Sequence, residues 1–242
     1  MKKIALFIPS NYPNKLFFFF FINKIKKYGI NFIEIGYPNI DSLADGNIIF
    51  NSYKFLIKNY KLKYYFNNIY NFKFLNKINF ILFMGYYNNV NKYSEIYFTY
   101  LLNLINIDSI ILIDYNLECN NYLYNLIKKK KINFINFITS NVSKIKLFFI
   151  NNFFLSYNYF SYIKGITGDK KLKINFLNNY IKKIKKEFIF GFGLSNIKNI
   201  IKIKKINNFV FGSFFIYLIN KYYYNYKKIF KIIKILSIII KL

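Results

Sequence analysis

The chain is predicted to fold as an α/β protein built on a single (β/α)8 barrel, and three observations carry that prediction. Short β-type runs alternate with longer amphipathic segments from end to end, giving eight β–α units at a spacing of roughly thirty residues. The strand runs are continuously apolar and do not alternate, as befits parallel strands covered by helices. The length of 242 residues is close to the ~250 typical of such a barrel, the TIM-barrel class. No stretch rich in Gly, Pro or Ser divides the chain, so residues 1–242 read as one domain. An open doubly wound sheet is the alternative arrangement of the same units.

The elements follow in order. Ile4–Pro9 is the first strand, and Lys15–Tyr28 reads as a helix after the break at Asn11-Tyr12-Pro13. Asn31–Gly36 is the second strand, followed by an acidic loop and a helix near Asn51–Tyr70. Phe80–Gly85 is the third strand, with Tyr86, Tyr87 and Asn88 at its exit. Ser94–Asn106 carries Leu and Ile at helical spacing. Asp108–Asp114 is an apolar strand flanked by acids, Cys119–Lys131 is helical, and Asn133–Ile138 is the fifth strand. Helix, strand and helix continue through Asn141–Asn152, Tyr157–Tyr162 and Lys171–Lys186. Glu187–Phe190 and Asn208–Phe211 are the last strands, each followed by a helix.

Composition removes several function classes. A formal charge of +28 ordinarily points to nucleic acid or an anionic membrane. Here every basic residue is lysine, and Ile, Asn, Phe, Tyr and Lys dominate throughout. Specific nucleic-acid readers lean on arginine for bidentate contacts, so none is expected as a partner. Drift toward a few amino acids, as in an AT-biased genome, explains the lysines as a solvated outer face. Histidine is absent and Cys119 is the single cysteine, which removes a His-based triad, a His or Cys metal cluster and a disulfide framework. Met1-Lys2-Lys3 and the following apolar run reach Pro9 too soon for a signal peptide. The longest charge-free run, 147–163, includes Asn151, Asn152 and Asn158, and the tail from Lys227 is broken by Lys228, Lys231, Lys234 and Lys241. These features favour amphipathic helices over membrane spans. A soluble, cytoplasmic protein is expected.

The acids are few and concentrated. Of nine, three fall within Phe32–Gly46: Glu34, Asp41 and Asp45. Glu34 lies in an apolar run that reads as a buried strand, where a carboxylate is costly without a task or a partner. A buried acid at a strand end with acids in the next loop suits proton transfer. The same residues also read as an ion pair with lysine and an Asp-Gly turn. Five of nine glycines fall in three loops after the later strands, in Gly165-Ile166-Thr167-Gly168, Gly191-Phe192-Gly193-Leu194-Ser195 and Gly212-Ser213. Each glycine alone reads as a turn. In register at the C-terminal ends of strands, the loops read as a phosphate site.

These motifs together resemble one family. Glu34-Ile35-Gly36 with Pro38, then Asp41, then Leu43-Ala44-Asp45-Gly46, is similar to the signature of the tryptophan synthase α chain family. Asn11-Tyr12-Pro13, Tyr86-Tyr87-Asn88, Asp114 and the three glycine loops resemble its other landmarks in order and spacing. The resemblance implies retro-aldol cleavage of indole-3-glycerol phosphate to indole and glyceraldehyde 3-phosphate. It implies Glu34 as the general acid–base and Asp45 as an ionised partner, in a more polar loop, for the indole N–H. It further implies Phe7, Tyr86, Tyr159 and Phe192 around the indole. Thr167 and Gly168 would be in a closing loop, with Gly193, Gly212 and Ser213 on the phosphate. The partner implied is the tryptophan synthase β chain in an α2β2 complex, and the pyridoxal phosphate would belong to that chain, with no cofactor in this one.

The chain departs from the family pattern at Asn39-Ile40-Asp41-Ser42, at Asn116 where a proline is usual, and at Ile163 where an arginine is usual. These segments bear on the β-chain interface and on loop closure more than on the chemistry. The alternative readings are a subunit that mainly activates the β chain, and another phosphate-binding barrel such as an isomerase or epimerase.

Overall fold

The strands of the computed structural model are all parallel and form one sheet, ordered β5-β4-β3-β2-β1-β9-β8-β7-β6. The structure describes residues 2–40, 42, 45–57, 64–70, 81–116, 121–139, 143, 157–161, 187–191 and 207–241. In sequence order the strands are β1 (Lys3–Pro9), β2 (Phe32–Gly36), β3 (Ile81–Gly85), β4 (Ser109–Leu112), β5 (Asn133–Phe134), β6 (Asn136–Thr139), β7 (Tyr157–Ser161), β8 (Glu187–Gly191) and β9 (Asn208–Phe211). The two ends of that order, β5 and β6, are separated in sequence only by Ile135, whose N–H donates to the Ile110 carbonyl at 2.9 Å. They are the expected fifth strand, broken at one residue. β5 pairs with β4 and β6 with β7, so the break at Ile135 hands the strand from one neighbour to the other and closes the sheet into a barrel. The open doubly wound alternative falls on this closure.

Apart from one short helix at the β3 exit, the described helices lie where helices were expected, with ends shifted by a few residues, and the one expected near Asn51–Tyr70 is described in two segments. They are α1 (Lys15–Ile25), α2 (Asn47–Ile57), α3 (64–70), α4 (Tyr87–Asn91), α5 (Glu95–Leu104), α6 (Tyr122–Lys129), α7 (Ser213–Tyr222) and α8 (Tyr226–Lys241). α1 starts where the Asn14 side chain accepts the Phe17 N–H at 2.9 Å, an N-cap that satisfies one orphan donor of the first turn. A 3₁₀ turn, Lys26–Tyr28, follows it and ends at Gly29 with φ +86°, a left-handed conformation that glycine adopts without a Cβ penalty. α2 begins at Asn47, four residues ahead of the expected start. α4 is a short helix at the β3 exit, where no helix was expected. The helices expected over 141–152 and 171–186 lie outside the described residues.

Parallel register sorts the side chains into two layers. Phe7 pairs with Glu34, and Glu34 with Leu82, so these positions share a face. Glu34 meets Tyr159 of β7 across the sheet, which makes that face the barrel interior. The next row, Ile35 with Phe83, faces out. There Phe83 packs against Tyr65 and Phe66 of α3 and Phe98 of α5 at centroid distances of 5.3, 5.7 and 5.6 Å. Each such buried aromatic stabilises the fold by about 1.5–3 kcal/mol. The ring of helices is joined at the chain's two ends: Phe21 of α1 stacks on Phe230 of α8 at 5.0 Å, and Lys241 Nζ donates to the Gly29 carbonyl at 2.8 Å. Among the described residues no helix is long and apolar enough to cross a membrane.

Candidate active site

The mouth at the C-terminal ends of the strands gathers the acids the sequence singled out. Glu34 is fully buried on β2, between Phe7 of β1 and Leu82 of β3. The Tyr159 hydroxyl donates to its Oε1 at 3.3 Å, and its Oε2 has no partner among the described residues. Burial pushes the Glu34 carboxyl up to about 8; the Tyr159 hydrogen bond opposes this, and the neighbouring Asp45 charge adds to it. A carboxylic acid held neutral by its surroundings is what proton delivery near neutral pH requires.

Asp45 corrects the sequence expectation of an ionised acid in a more polar loop. It is 6% exposed, and burial pushes it up to about 7, against the opposing Tyr86 hydrogen bond. Asp45 stands two residues ahead of α2, which begins at Asn47, with its carboxyl turned toward Tyr86 just past β3. The Tyr86 hydroxyl donates to Asp45 Oδ2 at 3.0 Å. Oδ1 is buried without a partner among the described residues. Each acid therefore has one oxygen held by a buried tyrosine and one uncommitted.

Phe7 lies beside this pair. Its ring fills the space that side chains on Gly36 and Gly212 would take: a Cβ built on Gly36 would stand 2.5 Å from it, and one on Gly212 3.4 Å. Gly212 follows β9, and Ser213 is the first residue of α7, whose first turn closes with Ile216 N–H donating to the Gly212 carbonyl at 3.0 Å. Gly191 gives similar room to Tyr159, whose Oη would lie 1.8 Å from an added Cβ. A residue larger than glycine at Gly36 or Gly191 would thus displace a site aromatic. Asp114 accepts the backbone N–H groups of Tyr87 and of Asn88, the latter at 3.2 Å. It thereby ties the β4 exit to the start of α4.

Seven of the expected site residues are thus brought to one mouth: Glu34, Asp45, Phe7, Tyr86, Tyr159, Gly212 and Ser213. Thr167, Gly168, Phe192 and Gly193 lie outside the described residues, as does Asp41. Sequence reasoning missed Tyr53. It sits on α2 four residues after Ile49, so its periodicity marks it only as a core position. In the fold its hydroxyl reaches the β2 exit, 3.0 Å from where a Gly36 Cβ would be. No group of three or more His, Cys, Asp or Glu side chains that could hold a metal ion occurs among the described residues.

Comparison with known proteins bears on the fold and the family. Residues 2–236 match the family model described as tryptophan synthase alpha chain. The tryptophan synthase alpha chain of Karelsulcia muelleri is 32% identical, covering 96% of this chain and 92% of its own length. That of Pelagibacter ubique is 30% identical over 79% and 74%. Among solved structures, the alpha chain from Legionella pneumophila superposes with a TM-score of 0.85 at 17% identity, covering 99% of this chain and 92% of its own. A subunit of Mycobacterium tuberculosis tryptophan synthase superposes with a TM-score of 0.86 at 14% identity, covering 100% and 93%. The match to the family model along nearly its whole length, with relatives at this identity and coverage, makes the chain a member of the tryptophan synthase α chain family.

Proposed function

We propose that this chain is the lyase subunit of a tryptophan synthase and cleaves indole-3-glycerol phosphate to indole and glyceraldehyde 3-phosphate. The observation that carries the reading is the pair of buried acids, each with one uncommitted oxygen, at the mouth of a barrel of this family. The reaction breaks the bond between indole C3 and the glycerol chain. Protonated Glu34 delivers a proton to C3, which places positive charge on the ring. The glycerol hydroxyl then loses its proton to the Glu34 carboxylate as the carbon–carbon bond breaks. Its electron pair returns to the ring, and the former alcohol carbon leaves as the aldehyde. Asp45 Oδ1 takes the indole N–H and stabilises the developing charge. An N–H donor and a cationic ring both favour the carboxylate, so substrate offsets the burial that raises Asp45 in the empty site.

Phe7, Tyr86, Tyr159 and Phe192 form the walls for the indole. The phosphate binds at Gly212 and Ser213, where the N–H groups and dipole of α7 favour an anion, with Gly193 alongside and Thr167 and Gly168 in the loop that closes over it. A solved relative from Pyrococcus furiosus is described as a tryptophan synthase α2β2 complex, and its subunit superposes on this chain with a TM-score of 0.82. We take a β chain as this chain's partner, with pyridoxal phosphate held by that partner, in the cytoplasm. The test is indole release from indole-3-glycerol phosphate by the purified chain, alone and with a β chain. Release that rises with the β chain is expected. Absence of indole under both conditions would overturn the reading.

A further inference from the structure

Three tyrosines reach the acid pair, and two donate to it. Tyr159 donates to Glu34 and Tyr86 to Asp45. The third, Tyr53, is 1% exposed on α2, and the hydroxyls that donate to the two acids are those of Tyr159 and Tyr86, not its own. Its surroundings define a line across the mouth. α2 sets Ile49 and Tyr53 one turn apart on the same face. A Cβ on Gly212 would meet Ile49 at 3.5 Å and the Phe7 ring at 3.4 Å, whereas one on Gly36 would meet the Phe7 ring at 2.5 Å and the Tyr53 hydroxyl at 3.0 Å. The row from the start of α7 to the acids therefore runs Gly212, Phe7, Gly36 with Tyr53, then Glu34 two residues down the strand. A phosphate held at Gly212 and an indole held by Asp45 must be joined by a chain crossing this row.

We propose that the Tyr53 hydroxyl is a further substrate-binding group, which hydrogen-bonds a hydroxyl of the glycerol segment between the phosphate and the indole ring. The Tyr53 hydroxyl stands on the path this segment must take, 3.0 Å from where a Gly36 Cβ would be, and a hydroxylated linker supplies both donor and acceptor where an aromatic wall would supply neither. Burial first, then the nearby charges of Asp45, Tyr86, Glu34 and Tyr65, hold this phenol well above its ordinary range. It therefore stays neutral and serves as a positioning donor, not as a base.

The inference rests on the proposed lyase reading, and its test separates the two. In Tyr53→Phe, which keeps the ring and deletes the hydroxyl, kcat/KM for indole-3-glycerol phosphate should fall about tenfold, mainly through KM. Binding of an indolyl alkyl phosphate lacking the glycerol hydroxyls should stay within about twofold, because the lost partner is absent from that ligand. Equal losses for both ligands, or no loss for either, would overturn the role of Tyr53 while the parent chain's indole release still supports the lyase reading. Should Tyr53→Phe fold poorly, Tyr53→Met deletes the same hydroxyl, and the same split between the two ligands decides the question.

Discussion

Phe83 and Glu34 lie on adjacent strands and one row apart, and they face opposite sides of the same sheet. Phe83 points outward into a cluster of stacked and edge-on rings with Tyr65, Phe66 and Phe98, whose one polar tip, the Tyr65 hydroxyl, donates to the Ile35 carbonyl at 3.1 Å. Glu34 points inward, fully buried, with one carboxylate oxygen unpaired, next to Asp45 in the same condition. The outer layer is held by area, which many Phe, Tyr and Ile combinations can supply. The inner mouth is held by directional groups and carries a burial cost that only chemistry justifies. The composition of this chain, narrowed to a few residue types, is tolerated on the first side. On the second side it leaves Glu, Asp and Gly in place.

The sharpest way to break this contrast is Glu34→Gln. Turnover should fall by roughly 10²–10⁴-fold, while the thermal midpoint holds or rises, because an ionisable group leaves a buried site. Near-normal turnover would remove Glu34 from the chemistry. Phe66→Ala probes the other layer and should show the reverse pattern, losing about 3–5 kcal/mol of stability in a denaturant titration with the turnover of the folded fraction unchanged. A matching loss of turnover would mean that the two layers are coupled.

The third test is the pH dependence of the empty protein. Glu34 moves from 4.5 to about 8 on folding, and Asp45 from 3.8 to about 7. Between those values the folded state keeps protons that the unfolded state has released, so stability is fully present below the unfolded values and declines as pH rises through the window. The slope is at most about 1.4 kcal/mol per pH unit for each acid. Urea midpoints between about pH 5 and pH 7 measure it, and Glu34→Gln should remove about half the slope. A midpoint that climbs with pH over this range would mean the two carboxyls are not held neutral.

Much of the barrel was legible in the chain because parallel strands covered on both faces must be apolar throughout, and runs such as Ile4–Pro9 and Ile81–Gly85 have few other readings. The burial of Glu34 was legible for the same reason: a lone carboxylate inside such a run is buried wherever the strand goes. Asp45 was misread because its cover comes from across the mouth, where Tyr86, forty-one residues on, meets its carboxyl. The start of α2 at Asn47, four residues early, is likewise below the resolution of sequence patterns. α4 escaped notice because a helix of five residues has too few turns to show a period.

By itself the sequence determined the apolar parallel strands, the depth of Glu34 and, among the described residues, the glycines Gly191 and Gly212 at the ends of β8 and β9. Local pattern and composition suffice for these, since each depends on a residue and its immediate neighbours. Only the tertiary structure decided that Ile135 closes the barrel, that Asp45 is covered, and that Tyr53 of α2 joins Tyr86 and Tyr159 around two acids. Those facts depend on what lies across the mouth from each side chain. Residues as far apart in sequence as Glu34 and Tyr159 become neighbours only when a closed sheet brings strands two and seven to face each other.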